Sequence, residues 1–222
     1  MHAATDAIDG ECVAAYVAHE LRTPLATQRA LLELALADRS TDAATWREIG
    51  EDVLRACRQQ ERLLEACLTL ARSRDGLQRW SSVDLAAIAG DTLRAHDRGS
   101  LTTVLTLEPA RTSGDRELLE RLAANLVSNA IRHNRPDGRI EVATRTESGR
   151  AHLTVANTGP LIPPAKLPRL FQPFERLGTK ADGVGLGLAI VNAIAGAHDA
   201  TLTARARAGG GLGIDVAFPA LD

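Results

Sequence analysis

Apolar positions recur along this chain at two different periods, and the change of period divides it. From residue 7 to about residue 38, Val13, Val17, Leu21, Leu25, Leu32 and Leu36 fall at helical spacing. Arg39-Ser40-Thr41-Asp42 breaks the pattern with four polar residues, and Thr41 or Asp42 suits a helix N-cap. A second helical pattern runs to about residue 73. In it Trp46, Ile49, Val53, Ala56, Gln60, Leu63, Cys67 and Leu70 alternate steps of three and four, a heptad stripe. Two long helices with a short link predict an antiparallel hairpin. A lone hairpin cannot fully bury an apolar stripe on each helix, so a second copy is expected, giving a dimeric four-helix bundle.

After Ser73-Arg74-Asp75-Gly76 the pattern becomes mixed. Residues 83–96 predict a short strand running into a helix, 102–107 a strand, and 115–133 an amphipathic helix capped by Asp115. Strands are predicted over 139–146 and 151–156 around the turn Glu147-Ser148-Gly149. A helix over 186–197 and closing strands over 201–207 and 213–218 complete the pattern. Strands and helices mixed in this way predict an α/β sandwich, one layer of helices on one mixed sheet. The expected organisation is a helical hairpin over 1–75, a linker over 76–82 and the sandwich over 83–222. The Pro- and Gly-rich stretch 158–185 is long for a connection inside a compact domain, which predicts a lid or binding loop.

Composition narrows the possibilities. The 222 residues suffice for two domains, and with only 3% aromatics the core must be Leu, Ala, Val and Ile. A net charge of -2 gives no argument for a nucleic-acid surface. Cys12, Cys57 and Cys67 lack metal-ligand spacing and read as buried free thiols in a reducing compartment. No apolar run has the length of a membrane span, and the N-terminus lacks a signal-peptide pattern.

One stretch does not suit a purely structural helix: His19-Glu20-Leu21-Arg22-Thr23-Pro24-Leu25. Proline in a helix interior costs about 3 kcal/mol. Imidazole is a nucleophile that titrates near neutral pH, and an adjacent carboxylate can orient one ring N–H and accept its proton. Thr23 lies one turn on, on the face of His19. The stretch resembles the phospho-acceptor box of the sensor histidine kinases of two-component systems. Four further stretches follow in that family's order. Asn125-Leu126-Val127-Ser128-Asn129-Ala130 resembles its asparagine box, Asn157-Thr158-Gly159 its first glycine box, Phe171-Gln172-Pro173-Phe174 its phenylalanine box, and Gly183-Val184-Gly185-Leu186-Gly187-Leu188 its second glycine box.

The resemblance implies a dimerisation and histidine-phosphotransfer domain followed by an ATP-binding domain of the GHKL type. His19 would take the γ-phosphoryl group of ATP with Glu20 as base and pass it to an aspartate of a response regulator receiver domain. Thr23 would orient a water for the reverse, phosphatase, activity. Asn129 would be the Mg2+ ligand and Asn125 a second pocket contact. The residues agree physically: the two amides are one helical turn apart, and an amide oxygen is a hard neutral ligand suited to Mg2+. A pair of merely hydrogen-bonded amides is the plain alternative. Arg132 and His133 would lie against the nucleotide, with Asn157 and Gly159 at the base. Gly183, Gly185, Gly187 and Leu188 would form the phosphate-side turn, where glycines and a helix N-terminus favour anions. Arg176 and Lys180 sit between the last two boxes, each either a contact of the terminal phosphate or a solvated loop cation.

The implied partners are a second copy of the chain and the receiver domain, with no nucleic acid. Membrane contact is expected only through a sensor region absent from this chain, which is itself expected in the cytoplasm. The whole protein is expected to be either membrane-anchored or natively soluble. The family's first glycine box usually starts with Asp, which accepts from the adenine amino group. Here it starts with Asn157, whose oxygen can accept the same bond but whose amide could also turn over, and Leu161 stands where a second glycine is usual. These departures raise a rival: a nucleotide-weak or nucleotide-dead dimeric scaffold or phosphatase that binds a response regulator.

Overall fold

The computed structural model describes residues 10–38, 42–74, 80–173, 175 and 185–221, with side chains of 10–20, 59, 62, 66 and 70–74 excepted. The chain divides into two compact units, Met1–Cys67 and Leu68–Asp222.

The first unit is built from helix α1, Gly10–Ala37, and most of helix α2, Ala43–Arg74. Asp42 starts α2: its carboxylate accepts from the Thr45 N–H at 2.8 Å, and that bond holds its carboxyl below the usual range. Pro24 lies inside α1 without ending it. Polar bonds cross between the helices. Gln28, 8% exposed, donates through Nε2 to the Val53 carbonyl and to Gln60 Oε1, both at 3.4 Å, and Gln60 Nε2 donates to the Leu21 carbonyl at 3.4 Å. The stripe Trp46, Ile49, Val53, Ala56, Gln60 and Leu63 is therefore buried or half-buried within a single hairpin, Leu63 most deeply at 3%. Of these six only Leu63 is buried; the other five stay partly exposed in one hairpin, as expected of a stripe that a second copy helps to cover. Among the large apolar side chains left in solvent are Leu25, Leu32, Leu34 and Leu36 on α1 and Leu54 and Leu64 on α2. A heptad stripe names a buried face but not its partner, and here the first partner is the other arm of the hairpin.

The second unit is an α/β sandwich. In chain order it contains β1 (Ser81–Asp84), α3 (Leu85–Ala95), β2 (Thr102–Leu107), β3 (Arg111–Gly114), α4 (Arg116–Arg132), β4 (Arg139–Glu147), β5 (Arg150–Asn157), α5 (Gly187–Ala197), β6 (Thr201–Ala206) and β7 (Leu212–Pro219). Two short 3-10 turns, Pro164–Lys166 and Pro168–Phe171, lie between β5 and α5. Five strands form a mixed sheet in the order β2-β4-β5-β7-β6, with β2 parallel to β4 and the other pairs antiparallel.

Period two explains the layers. Ile140, Val142 and Thr144 on β4 and Ala151, Leu153 and Val155 on β5 are buried, and their neighbours are not. Helices α3, α4 and α5 cover that face with Ile88, Leu93, Leu119, Leu122, Leu126, Val191 and Ile194, each at most 2% exposed. Caps set two of these helices: Asp84 accepts from the Ala86 N–H, and Asp115 from the Glu117 N–H at 2.9 Å. The sequence pattern did not reveal β3. Arg111-Thr112-Ser113-Gly114 carries no apolar residue, yet it pairs with β1 in a separate two-stranded sheet, and buried Thr112 donates to the Pro219 carbonyl at 2.8 Å.

Candidate functional site

The C-terminal half of α4 and the first turn of α5 meet at a pair of residues from two different sequence boxes. Asn125 and Asn129 are half-buried on α4, one turn apart. Asn125 donates through Nδ2 to the Arg121 carbonyl at 2.8 Å, which orients its amide. A side chain at Gly187 would place Cβ 3.2 Å from Asn125 Oδ1, so this glycine lets the start of α5 approach the amide. Gly185, at φ +75°, turns the chain just before it, and Leu186 and Leu188 are buried as anchors of the helix start. Leu188 thus lies in the core, while Gly187 stands at the surface of the approach.

Arg132 ends α4 and His133 caps it, both exposed, with the His133 N–H bonded to the Asn129 carbonyl at 3.0 Å. The His133 carbonyl faces the end of β5. Asn157, 3% exposed, donates through Nδ2 to this carbonyl at 3.3 Å and to the Thr158 carbonyl at 2.7 Å. Both amide hydrogens therefore have carbonyl partners, which opposes the turned-over amide that the sequence leaves open. A Cβ at Gly159 would lie 2.4 Å from the His133 carbonyl oxygen, so only glycine permits this approach of the β5 end to the end of α4. Gly211, at φ +102°, sits against the same turn from the other side, where a Cβ would lie 1.9 Å from the Asn157 carbonyl oxygen.

A second hydrogen-bond set fixes this turn, and sequence reasoning missed it. Thr158 Oγ1 donates to Asn134 Oδ1 at 2.6 Å and accepts from the Arg139 N–H at 2.8 Å, while the Thr158 N–H bonds to the Arg139 carbonyl at 3.0 Å. The run Gly209-Gly210-Gly211 was the available signal for the close approach, and Asn134 directly after His133 for a helix-end amide.

The structure does not place every candidate. His19 and Glu20 lie in the helical part of α1, but their side chains are outside the described residues. Thr23 is exposed on the same helix, and its carbonyl accepts from Thr27 Oγ1 at 3.1 Å. Phe174, Arg176, Lys180 and Gly183 fall outside the described residues. Phe171 is half-buried in the second 3-10 turn, Leu161 is 76% exposed, and an Arg169–Glu175 ion pair at 2.5 Å closes the turn region. Amide oxygens from α4 and β5, glycine approaches and a helix start are a fitting set for a nucleotide accompanied by a hard divalent cation.

Known proteins share these features. Residues 13–76 match the family model of the His Kinase A (phospho-acceptor) domain. Residues 114–222 match that of the histidine kinase-, DNA gyrase B- and HSP90-like ATPases. The chain is 42% identical over 210 residues to the sensor protein CutS of Streptomyces coelicolor, spanning 90% of this chain and 50% of that protein. It is 32% identical over 220 residues to the sensor-like histidine kinase SenX3 of Mycobacterium tuberculosis, spanning 93% and 53%. The chain thus spans about half the length of the curated relatives it matches. Among solved structures, the Acinetobacter baumannii histidine kinase AdeS agrees in fold, with a TM-score of 0.71 at 24% identity over 92% of this chain and 98% of that one.

Proposed function

Because this chain belongs to the two-component sensor histidine kinases, we propose that it phosphorylates His19 from ATP and passes the phosphoryl group to an aspartate of a response regulator receiver domain. In the first step an imidazole nitrogen of His19 forms the N–P bond as the bond between the γ-phosphorus and the ADP oxygen breaks. Glu20 takes the proton from the other ring nitrogen. Thr23 orients a water for hydrolysis of the regulator's phosphoaspartate. Asn125, Asn129, Arg132, His133, Asn157, Gly159, Arg176, Lys180 and the glycines at 183, 185 and 187 form the nucleotide site, with Leu188 anchoring its helix. Asn129 would hold Mg2+, which would supply charge neutralisation at the phosphates.

The 1–75 hairpin dimerises through the exposed Leu25, Leu32, Leu36, Leu54 and Leu64 face, followed by the linker over 76–82 and the ATP-binding domain over 83–222. No described helix is long and apolar enough to cross a membrane. We place this part of the protein in the cytoplasm, with any membrane anchor in the portion that the relatives have in addition.

What supports the nucleotide site most is the meeting of Asn125 with Gly187, 62 positions apart in sequence yet so close that a Cβ on Gly187 would lie 3.2 Å from Asn125 Oδ1. The scaffold rival is not favoured, since the departure at Asn157 leaves an ordered amide acceptor at the site. Titration of Mg-ATP into wild-type and Asn129→Ala protein is the test. Wild type should bind, and the variant should lose at least tenfold in autophosphorylation, about 1.4 kcal/mol or more. An Asn129→Ala protein with normal transfer places the pocket on the wrong helix.

A further inference from the structure

Resting on the kinase reading above, we propose that Gln28 and Gln60 are positioning residues for the phosphoryl transfer, a two-amide clamp that ties the turn of α1 carrying His19 to α2. The bonds run in one direction across the hairpin. Gln28 Nε2 donates to the Val53 carbonyl at 3.4 Å, with Cys57 Sγ 3.7 Å away. The same nitrogen donates to Gln60 Oε1 at 3.4 Å. Gln60 Nε2 then donates to the Leu21 carbonyl at 3.4 Å. The clamp thus begins on the backbone of α2, passes through two side chains and ends on the backbone of α1.

Its end point is the place where α1 is weakest. Pro24 lies inside the helix and has no N–H, so the carbonyl of residue 20, one turn earlier, lacks its helical donor. His19 directly precedes that carbonyl and Leu21 directly follows it. A turn with one bond fewer can bend, and a bend there displaces residue 19. In-line attack depends on close placement of the reacting atoms, and a misplacement of about 1 Å costs on the order of 100-fold in rate. The donor that proline removes from the helix is thus replaced, one residue along, from the other arm of the hairpin.

Packing alone does not account for these two residues. Gln28 is 8% exposed, a depth at which Leu or Ile would serve without the cost of burying an amide. The pair also works only as a pair. Gln60 is half-buried and could present either end of its amide to Leu21. The Gln28 N–H occupies Gln60 Oε1, which leaves Gln60 Nε2 for the Leu21 carbonyl. Removing either amide therefore undoes the other's role.

The test compares the full chain with Gln28→Leu, Gln60→Leu and the double variant in thermal unfolding, amide hydrogen exchange and the ATP dependence of His19 labelling. The double variant should unfold at or above the wild-type temperature, because exchanging both partners for apolar side chains leaves neither amide unpaired. Its KM for ATP should be unchanged, and its kcat for labelling should fall by about tenfold or more. Its Thr23 and Leu25 amides should exchange faster while the rest of the hairpin keeps its protection. Each single variant should lose as much kcat as the double. A double variant with wild-type kcat overturns the clamp, and so does unchanged exchange at Thr23 and Leu25. A fall in kcat that comes with a raised KM, or with lost protection throughout the hairpin, overturns it too, since that is a merely structural role. In each of these cases wild type still labels His19 and the kinase reading stands. A wild type without label on His19 overturns that reading and this inference with it.

Discussion

His198 links the acid stability of the ATP-binding unit to a single buried ring. It is 1% exposed at the cap of α5. Its Nδ1 bonds to the Ile194 carbonyl at 2.8 Å, and its Nε2 lies 3.1 Å from the Asp115 backbone N–H. The Asp115 N–H can only donate, so Nε2 is the acceptor and Nδ1 carries the hydrogen, which makes the ring neutral. The ring sits between Trp80, at a centroid distance of 5.9 Å, and Phe218, at 6.1 Å. Burial pushes its pKa below the ordinary 6.5, against the opposing pull of the Ile194 carbonyl and the Asp115 and Asp199 carboxylates.

The unfolded chain therefore takes up the proton first as pH falls. The contribution of His198 is complete above pH 6.5 and is lost progressively below it. One group changes stability by at most about 1.36 kcal/mol per pH unit. Protonation in the folded state would in addition set two N–H groups against each other, a mismatch of about 1–3 kcal/mol. Between pH 6.5 and 5.5 the unit should therefore lose stability through this ring, by at most about 1 kcal/mol. The assay is urea unfolding followed by Trp80 fluorescence in a Trp46→Phe background, for His198 and His198→Gln proteins across that range. Gln can still accept from Asp115 and donate to Ile194 but does not titrate. It should lower stability at pH 7.5 through lost ring packing and show a shallower pH dependence. Parallel pH curves for the two proteins would refute the reasoning.

Other consequences are more local. Replacing both Leu25 and Leu36 by Glu should convert the chain from dimer to monomer in sedimentation at micromolar concentration, and an unchanged dimer would move the interface elsewhere. Gly159→Ala should cost about 1–3 kcal/mol in thermal or urea unfolding, because a Cβ 2.4 Å from the His133 oxygen forces the β5 end away from α4; wild-type stability would mean the two segments separate freely. Thr112→Val should cost about 0.5–1.5 kcal/mol by removing the side-chain donor to the Pro219 carbonyl, and a neutral effect would show that this bond adds little to the fold.

Much of this architecture was legible in the chain because the local signals agree with each other. Helix α4 follows from the Asp115 cap and an apolar period that runs through Leu119, Leu122 and Leu126, and strands β4 and β5 from strict alternation around Ser148 and Gly149. What stayed hidden depends on distant partners. The stripe on α2 was legible, but the share of it that the α1 arm covers was not, because periodicity carries no record of which surface covers it. Strand β3 has no apolar signal, since Thr112 is held by a hydrogen bond to residue 219. At the candidate site the residue types were legible, but the orientation of Asn157 was not. It is set by the carbonyl of His133, 24 positions earlier, and by glycines at 159 and 211 that bring the segments together.

Phosphoryl transfer to one histidine, His19, is the activity on which everything else here depends. The most direct measurement is incubation of wild-type and His19→Gln proteins with γ-labelled ATP and Mg2+, followed by acid and base treatment of the labelled chain. Wild type should carry a base-stable, acid-labile label, and His19→Gln none, with ATP binding unchanged. A label that persists undiminished in His19→Gln, or one that survives acid and is lost in base, would contradict it.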